Sequence, residues 1–230
     1  MLRRIRIDDC VHYCGFAYGQ QRFNPYENYI LGLSRQQPPQ VLQAQFETFI
    51  QHYRPRDLAT ALGTSTQQPV RLWHLPWKSW RKLWRREGWC ENPEQVIDIL
   101  THFCEQGVRR SRLREEYLWL EQAWQRISRE GYRPDEHSYI SVFELRGASK
   151  SRYIVVDGNH RLSALAALGH SEVLVRQPWG ACARRAHAPF WPLVLSGHVV
   201  RQDALKLFDA YFTGNDHPQR ASLPARWLEG

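Results

Sequence analysis

One stretch of the 230-residue chain sets reactive side chains next to one another: Asp157-Gly158-Asn159-His160-Arg161. Asp157 can hold a magnesium ion or take the proton of a hydroxyl nucleophile. Gly158 lets the backbone come close to a ligand, and Arg161 offers a forked donor that matches phosphate. His160 can donate to a phosphate oxygen or move a proton near neutral pH. A run of five polar or special residues between apolar segments favours a functional turn over one whose side chains only cap a helix.

The flanking residues predict how that turn is held. Tyr153-Ile154-Val155-Val156 reads as a buried strand running straight into Asp157. Leu162, Leu165 and Leu168 share a helical face, and Gly169 is placed as the C-terminal stop. Ser171 to Val175 reads as a further strand. The intervening connection is about a dozen residues, the minimum for a helical crossover, so the expectation is two parallel strands joined through a helix. The turn then lies where a strand ends and a helix begins. Free N–H groups and the positive end of the helix dipole make that a place for an anion.

Asp157-Gly158-Asn159-His160-Arg161, followed by Leu-Ser-Ala-Leu-Ala-Ala-Leu-Gly, resembles the signature turn of the ParB/sulfiredoxin-like superfamily. Ser111-Arg112, a helical run to Gly131-Tyr132, Pro134 and a strand from Tyr139 to Leu145 are similar to the order of elements that precedes that turn. The resemblance covers residues 108 to 180, and the turn is its one specific motif. It implies an α+β fold with a small mixed sheet and flanking helices, and binding of a nucleotide, ATP or another, with Mg²⁺. On that resemblance Gly158, Asn159, Arg161, Arg112 and Ser111 would hold phosphates, Asp157 the metal, and Asp157 and His160 would act on the reacting groups. Sulfiredoxins carry a nucleophilic cysteine where Asn159 stands, so that chemistry is not expected. ParB clamps usually have Glu-Arg in place of Asn159-His160, with a helical DNA-binding domain that this sequence does not show. The Asp-Gly-x-His-Arg form is most similar to the small-molecule kinase branch, and is also similar to a turn of some DNA-modification proteins. The kinase branch further implies a glutamate from an early segment, which would be Glu27. Read from its own surroundings, Glu27 is more simply a solvated helix end.

The chain carries 31 Lys and Arg against 23 Asp and Glu, which favours anionic partners without choosing among nucleotide, nucleic acid and acidic lipid. Its 43% hydrophobic content is enough for a real core and excludes wholesale disorder. Asp8 and Asp9 interrupt any signal-peptide core, and Pro189 to Leu195 is far short of a membrane span, so a cytoplasmic protein is expected. Five cysteines at irregular places (Cys10, Cys14, Cys90, Cys104, Cys182) argue against a disulfide framework. Cys10, His12 and Cys14 with His102 and Cys104 have the chemistry of zinc ligands. Nothing in the sequence brings the two segments together, and buried reduced thiols are the expectation.

Four regions are predicted. Residues 1–69 form a mainly helical N-terminal extension, with a short strand at Arg3 to Ile7 and helices at Gln40 to Tyr53 and Arg56 to Leu62. Residues 70–107 are a Trp-rich basic segment. Trp77, Trp80, Leu83 and Trp84 share a helical face opposite Lys78, Arg81, Lys82, Arg85 and Arg86. That face either packs into the core or meets nucleic acid or an anionic membrane, the latter through the 76–87 helix. A second helix, with Val96, Ile97, Leu100 and Phe103, precedes Gly107. Residues 108–180 are the core named above. It opens on Val108-Arg109-Arg110-Ser111-Arg112, which reads either as surface charge or as a holder of a second phosphate. A helix from Leu113 to Ile127 follows, with Glu115 and Glu116 in its first turn. Residues 181–230 supply a helix at Gln202 to Phe212 and a polar tail. The Trp191-Pro192 to Gly197 stretch and Leu207 to Phe212 loosely resemble bacterial proteins linked to surface-polysaccharide synthesis. The reading reached is a nucleotide-dependent phosphotransferase acting on a small hydroxyl-bearing acceptor. The competing reading is a nucleotide-gated DNA-binding or regulatory protein without catalysis. Nuclease activity has no carboxylate cluster to support it.

Overall fold

The structure, a computed structural model, describes residues 1–19, 23–72, 74–78 and 110–213, with side chains of the last span from 113 onward. The basic helix beyond Lys78, the helix expected before Gly107 and the tail after Thr213 lie outside the described residues. So do the side chains of Ser111 and Arg112, whose backbone is helical.

The fold is α+β, with a six-stranded mixed sheet flanked by helices. Strand β1 (Leu2–Arg6) and β2 (Cys10–Val11) come first. Helices α1 (Pro25–Ser34), α2 (Pro39–His52) and α3 (Leu58–Ala61) follow. Then come α4 (Arg110–Glu130), α5 (Pro134–His137), β3 (Ile140–Arg146), β4 (Ser151–Asp157) and α6 (Asn159–Ala167). The chain continues through β5 (Glu172–Arg176), β6 (Cys182–Arg184), a 3₁₀ helix (Arg185–Phe190), α7 (Pro192–Leu195) and α8 (Arg201–Thr213).

The strand order is β1-β5-β3-β4-β2, with β6 also paired to β3. The N-terminal segment is therefore more than a helical extension: β1 pairs with β5 at one end of the order and β2 with β4 at the other. The parallel crossover expected from the connection length does not form. β3 lies between β4 and β5, antiparallel to the first and parallel to the second, so β4 and β5 run in opposite directions. The short loop from Arg146 to Ser151 makes β3 and β4 a hairpin, and hairpin pairing takes the place beside β4 that a crossover would have filled.

Alternation along β4 divides the core. Tyr153 and Val155 face a cluster built with α1, α2, α4 and α6, including Tyr26, Phe46, Tyr117, Leu120, Leu162 and Leu165. Ile154 faces the opposite cluster, with Trp77, Trp191, Leu207, Phe208 and Tyr211. The buried set of α2 is Leu42, Phe46, Phe49 and Ile50, the helical spacing read from the sequence. Trp77 packs edge-on against Trp191 and Phe208, which makes it a core residue. Among the described residues no helix is long and apolar enough to cross a membrane. Cys10 and Cys14 are buried thiols, and Cys14 N–H donates to Nδ1 of His12. No group of three or more potential ligands is arranged for a metal ion among the described residues.

Candidate functional site

The turn stands where the sequence puts it. β4 ends at Asp157, Gly158 adopts φ 94° as the N-cap of α6, and Asn159 begins the helix. A glycine is required here for two reasons. The backbone is left-handed, and a Cβ would sit 2.9 Å from both Arg161 Nη2 and Ile140 Cγ1. Gly158 supplies no side-chain cap to α6, and the positive end of the helix dipole lies at this turn.

Each reactive side chain has a partner that the sequence did not announce. Arg161 donates through Nη2 to Asp157 Oδ2 at 2.9 Å and through Nη1 to the carbonyl of His137 at 2.7 Å. The same Nη1 reaches the carbonyl and hydroxyl of Ser138, a residue held at φ 65°. The expected free phosphate fork is thus a clamp in this structure, fastening the turn to the segment that leads into β3. Asp157 is left with Oδ1, which makes no hydrogen bond among the described residues and belongs to a side chain 37% exposed.

His160 turns the other way. Its Nε2 lies 2.6 Å from Oε1 of Glu116, whose side chain is 2% exposed. Tyr26 meets the imidazole edge-on, ring centroids 5.4 Å apart, and Trp119 lies 5.9 Å away. Glu116 had been expected in the first turn of its helix, favoured by the dipole. In fact α4 begins at Arg110 and has no acidic residue in its first turn. The sequence held a usable signal: Leu113, Glu116, Tyr117 and Leu120 follow the i, i+3, i+4, i+7 pattern, which places the glutamate among apolar neighbours.

The N-terminal segment completes the site. Tyr18 donates its hydroxyl to Asn159 Oδ1 at 2.7 Å. The next residue, Gly19, gives its N–H to Glu27 Oε2 at 3.0 Å. The simpler expectation for Glu27, a solvated helix end, is overturned: the residue is 1% exposed, and Oε1 is buried with no hydrogen-bond partner among the described residues. Asn24 accounts for this placement, since its side chain caps α1 by accepting from Tyr26 and Glu27 N–H and so turns the helix start inward. Burial pushes the Glu27 carboxyl up to about 7, with the Gly19 hydrogen bond opposing and the Asp8 charge adding to the rise. An acid of that kind changes protonation near neutral pH, which suits proton transfer.

The structure therefore brings Asp157, Gly158, Asn159, His160 and Arg161 together with Tyr18, Glu27 and Glu116 around the starts of α1 and α6. No family model matches the chain, and neither a curated protein nor a solved structure matches it.

Proposed function

We propose that this chain binds the phosphates of a nucleotide, ATP in the first instance, at the start of α6 and transfers a phosphoryl group to a small hydroxyl-bearing acceptor. The observation that carries the reading is the buried Glu27 carboxyl, with a near-neutral titration and one oxygen that has no hydrogen-bond partner among the described residues, in a segment that Tyr18 joins to the start of α6. A buried acid with an unsatisfied oxygen is costly, and a fold that keeps one near a helix start has a use for it.

The Gly158–Asn159 backbone and the first turn of α6 receive phosphate oxygens, and His160 donates from Nδ1 to the transferring group when its ring carries both protons. Arg161 keeps the turn in shape and is not counted as a phosphate ligand. Glu27 takes the proton of the acceptor hydroxyl as its oxygen bonds to phosphorus and the bond to the leaving nucleotide breaks. Asp157 Oδ1 fits a Mg²⁺ ion, which needs one or two carboxylates in addition to phosphates and would supply charge neutralisation when bound.

A thermal-shift screen of ATP, ADP, CTP and GTP with Mg²⁺ tests this, repeated on Asp157→Ala and Glu27→Gln. A ligand present at one hundred times its Kd stabilises by about 2.7 kcal/mol, a shift of about 5–10 °C for a chain of this size. Asp157→Ala should lose that shift, whereas Glu27→Gln should keep it and lose acceptor-dependent nucleotide consumption. Absence of any nucleotide shift in the wild type refutes the proposal. Binding without consumption, coupled to steeply salt-dependent DNA affinity, points instead to the non-catalytic regulator.

A further inference from the structure

We infer that Glu116 is a positioning residue, which fixes the proton of the His160 ring on Nε2 and so makes Nδ1 the nitrogen that meets the ligand. The inference rests on the phosphate-binding reading of the turn. A carboxylate only accepts hydrogen bonds, so at 2.6 Å the Nε2 atom facing Glu116 must carry the hydrogen. The carboxylate comes from α4, anchored in the core by Leu113, Tyr117 and Leu120, each 7% exposed or less. With Tyr26 at the ring edge and Trp119 beside it, the imidazole has little freedom to turn over. Nδ1 makes no hydrogen bond among the described residues, and the side chain is 24% exposed. Orientation of a working histidine by a buried carboxylate on its far nitrogen is a general device: it selects the tautomer and the ring angle together.

Glu116→Gln keeps the shape but can present its amide N–H₂ to Nε2, allowing the proton to move to Nδ1. Nitrogen-15 NMR of the histidine side chains, at a pH that leaves the ring neutral, reads the tautomer directly without any ligand. The expected result is an Nε2–H ring in the wild type and a shift toward Nδ1–H in Glu116→Gln. Mg²⁺–ATP affinity should fall about 10-fold or more, the scale of a lost charge-assisted hydrogen bond, since a neutral glutamine does not offset the charge of a ring that donates from both nitrogens, while the ligand-free melting temperature changes little. A wild-type ring with its proton on Nδ1 overturns the inference with no variant needed. So does a loss of affinity with no change of tautomer, since that marks a contact that merely joins two helices. If the wild type binds no Mg²⁺–ATP, the nucleotide reading falls by itself, and the role of Glu116 is then decided by the tautomer alone.

Discussion

Replacing Glu27 by glutamine should make the protein more stable and less active, and the gain should depend on pH in a defined way. The folded carboxyl titrates at about 7 against an ordinary 4.5, mainly because it is buried. A raised carboxyl pKa means that the folded state holds its proton more tightly than the unfolded chain. Stability from this group is therefore fully present below about pH 4.5 and is lost as pH rises through about 7. A separation of about 2.5 units at 1.36 kcal/mol per unit makes the full loss about 3 kcal/mol. Glutamine resembles the protonated acid, can still accept from Gly19 N–H, and never ionises. The variant should exceed the wild type by about 3 kcal/mol near pH 8 but by about 1 kcal/mol or less near pH 5. For a chain of this size, that is a difference in Tm of about 6–12 °C at the higher pH. Urea unfolding at the two pH values, run on both proteins, measures it. A gain that is the same at both, or a variant that is weaker near pH 8, would refute the claim that Glu27 is a strained acid. Stabilisation accompanied by loss of acceptor-dependent turnover is the pattern of a residue kept for function at the expense of stability.

Other substitutions test the frame around it. Gly158→Ala forces a left-handed alanine against Arg161 and Ile140 and should cost about 1–3 kcal/mol, together with nucleotide stabilisation; chemical denaturation and the thermal-shift assay report the two effects separately. Arg161→Lys keeps the charge but loses the fork that joins Asp157, His137 and Ser138. It should lower stability by about 1–3 kcal/mol, with faster hydrogen exchange at Ser138 and Ile140. Glu144 is buried and accepts from Arg3, Arg146, Ser151 and Gln177. Burial lifts its carboxyl, but the hydrogen bonds from Arg146, Ser151 and Gln177 outweigh that and hold it below the ordinary value. Its contribution is thus present above the usual carboxylate range and lost as pH falls. Glu144→Ala should cost about 2–3 kcal/mol at neutral pH and shrink that deficit under acid, as urea titrations at two pH values would show.

The sequence by itself determined the local grammar of the site. Apolar Tyr153 to Val156 ending at Asp157, Gly158 at a bend, and Leu162 and Leu165 on one helical face are short-range facts, governed by period and backbone freedom, and the structure bears out the strand, the turn and the helix. Tertiary structure decided everything that depends on which surfaces meet. Connection length predicted β4 and β5 as parallel strands joined through a helix, but the β3–β4 hairpin placed β3 between them and left them running in opposite directions, because strand partners are chosen by the whole sheet. Arg161 as a clamp, Glu116 on His160, and Glu27 driven into the interior all join segments distant in the chain, and no spacing within either segment encodes such a meeting. The protonation of Glu27 is the plainest case. The same carboxyl at an exposed helix end would titrate as an ordinary acid, and its removal from water by the packing of α1 is the main cause that lifts it toward neutrality.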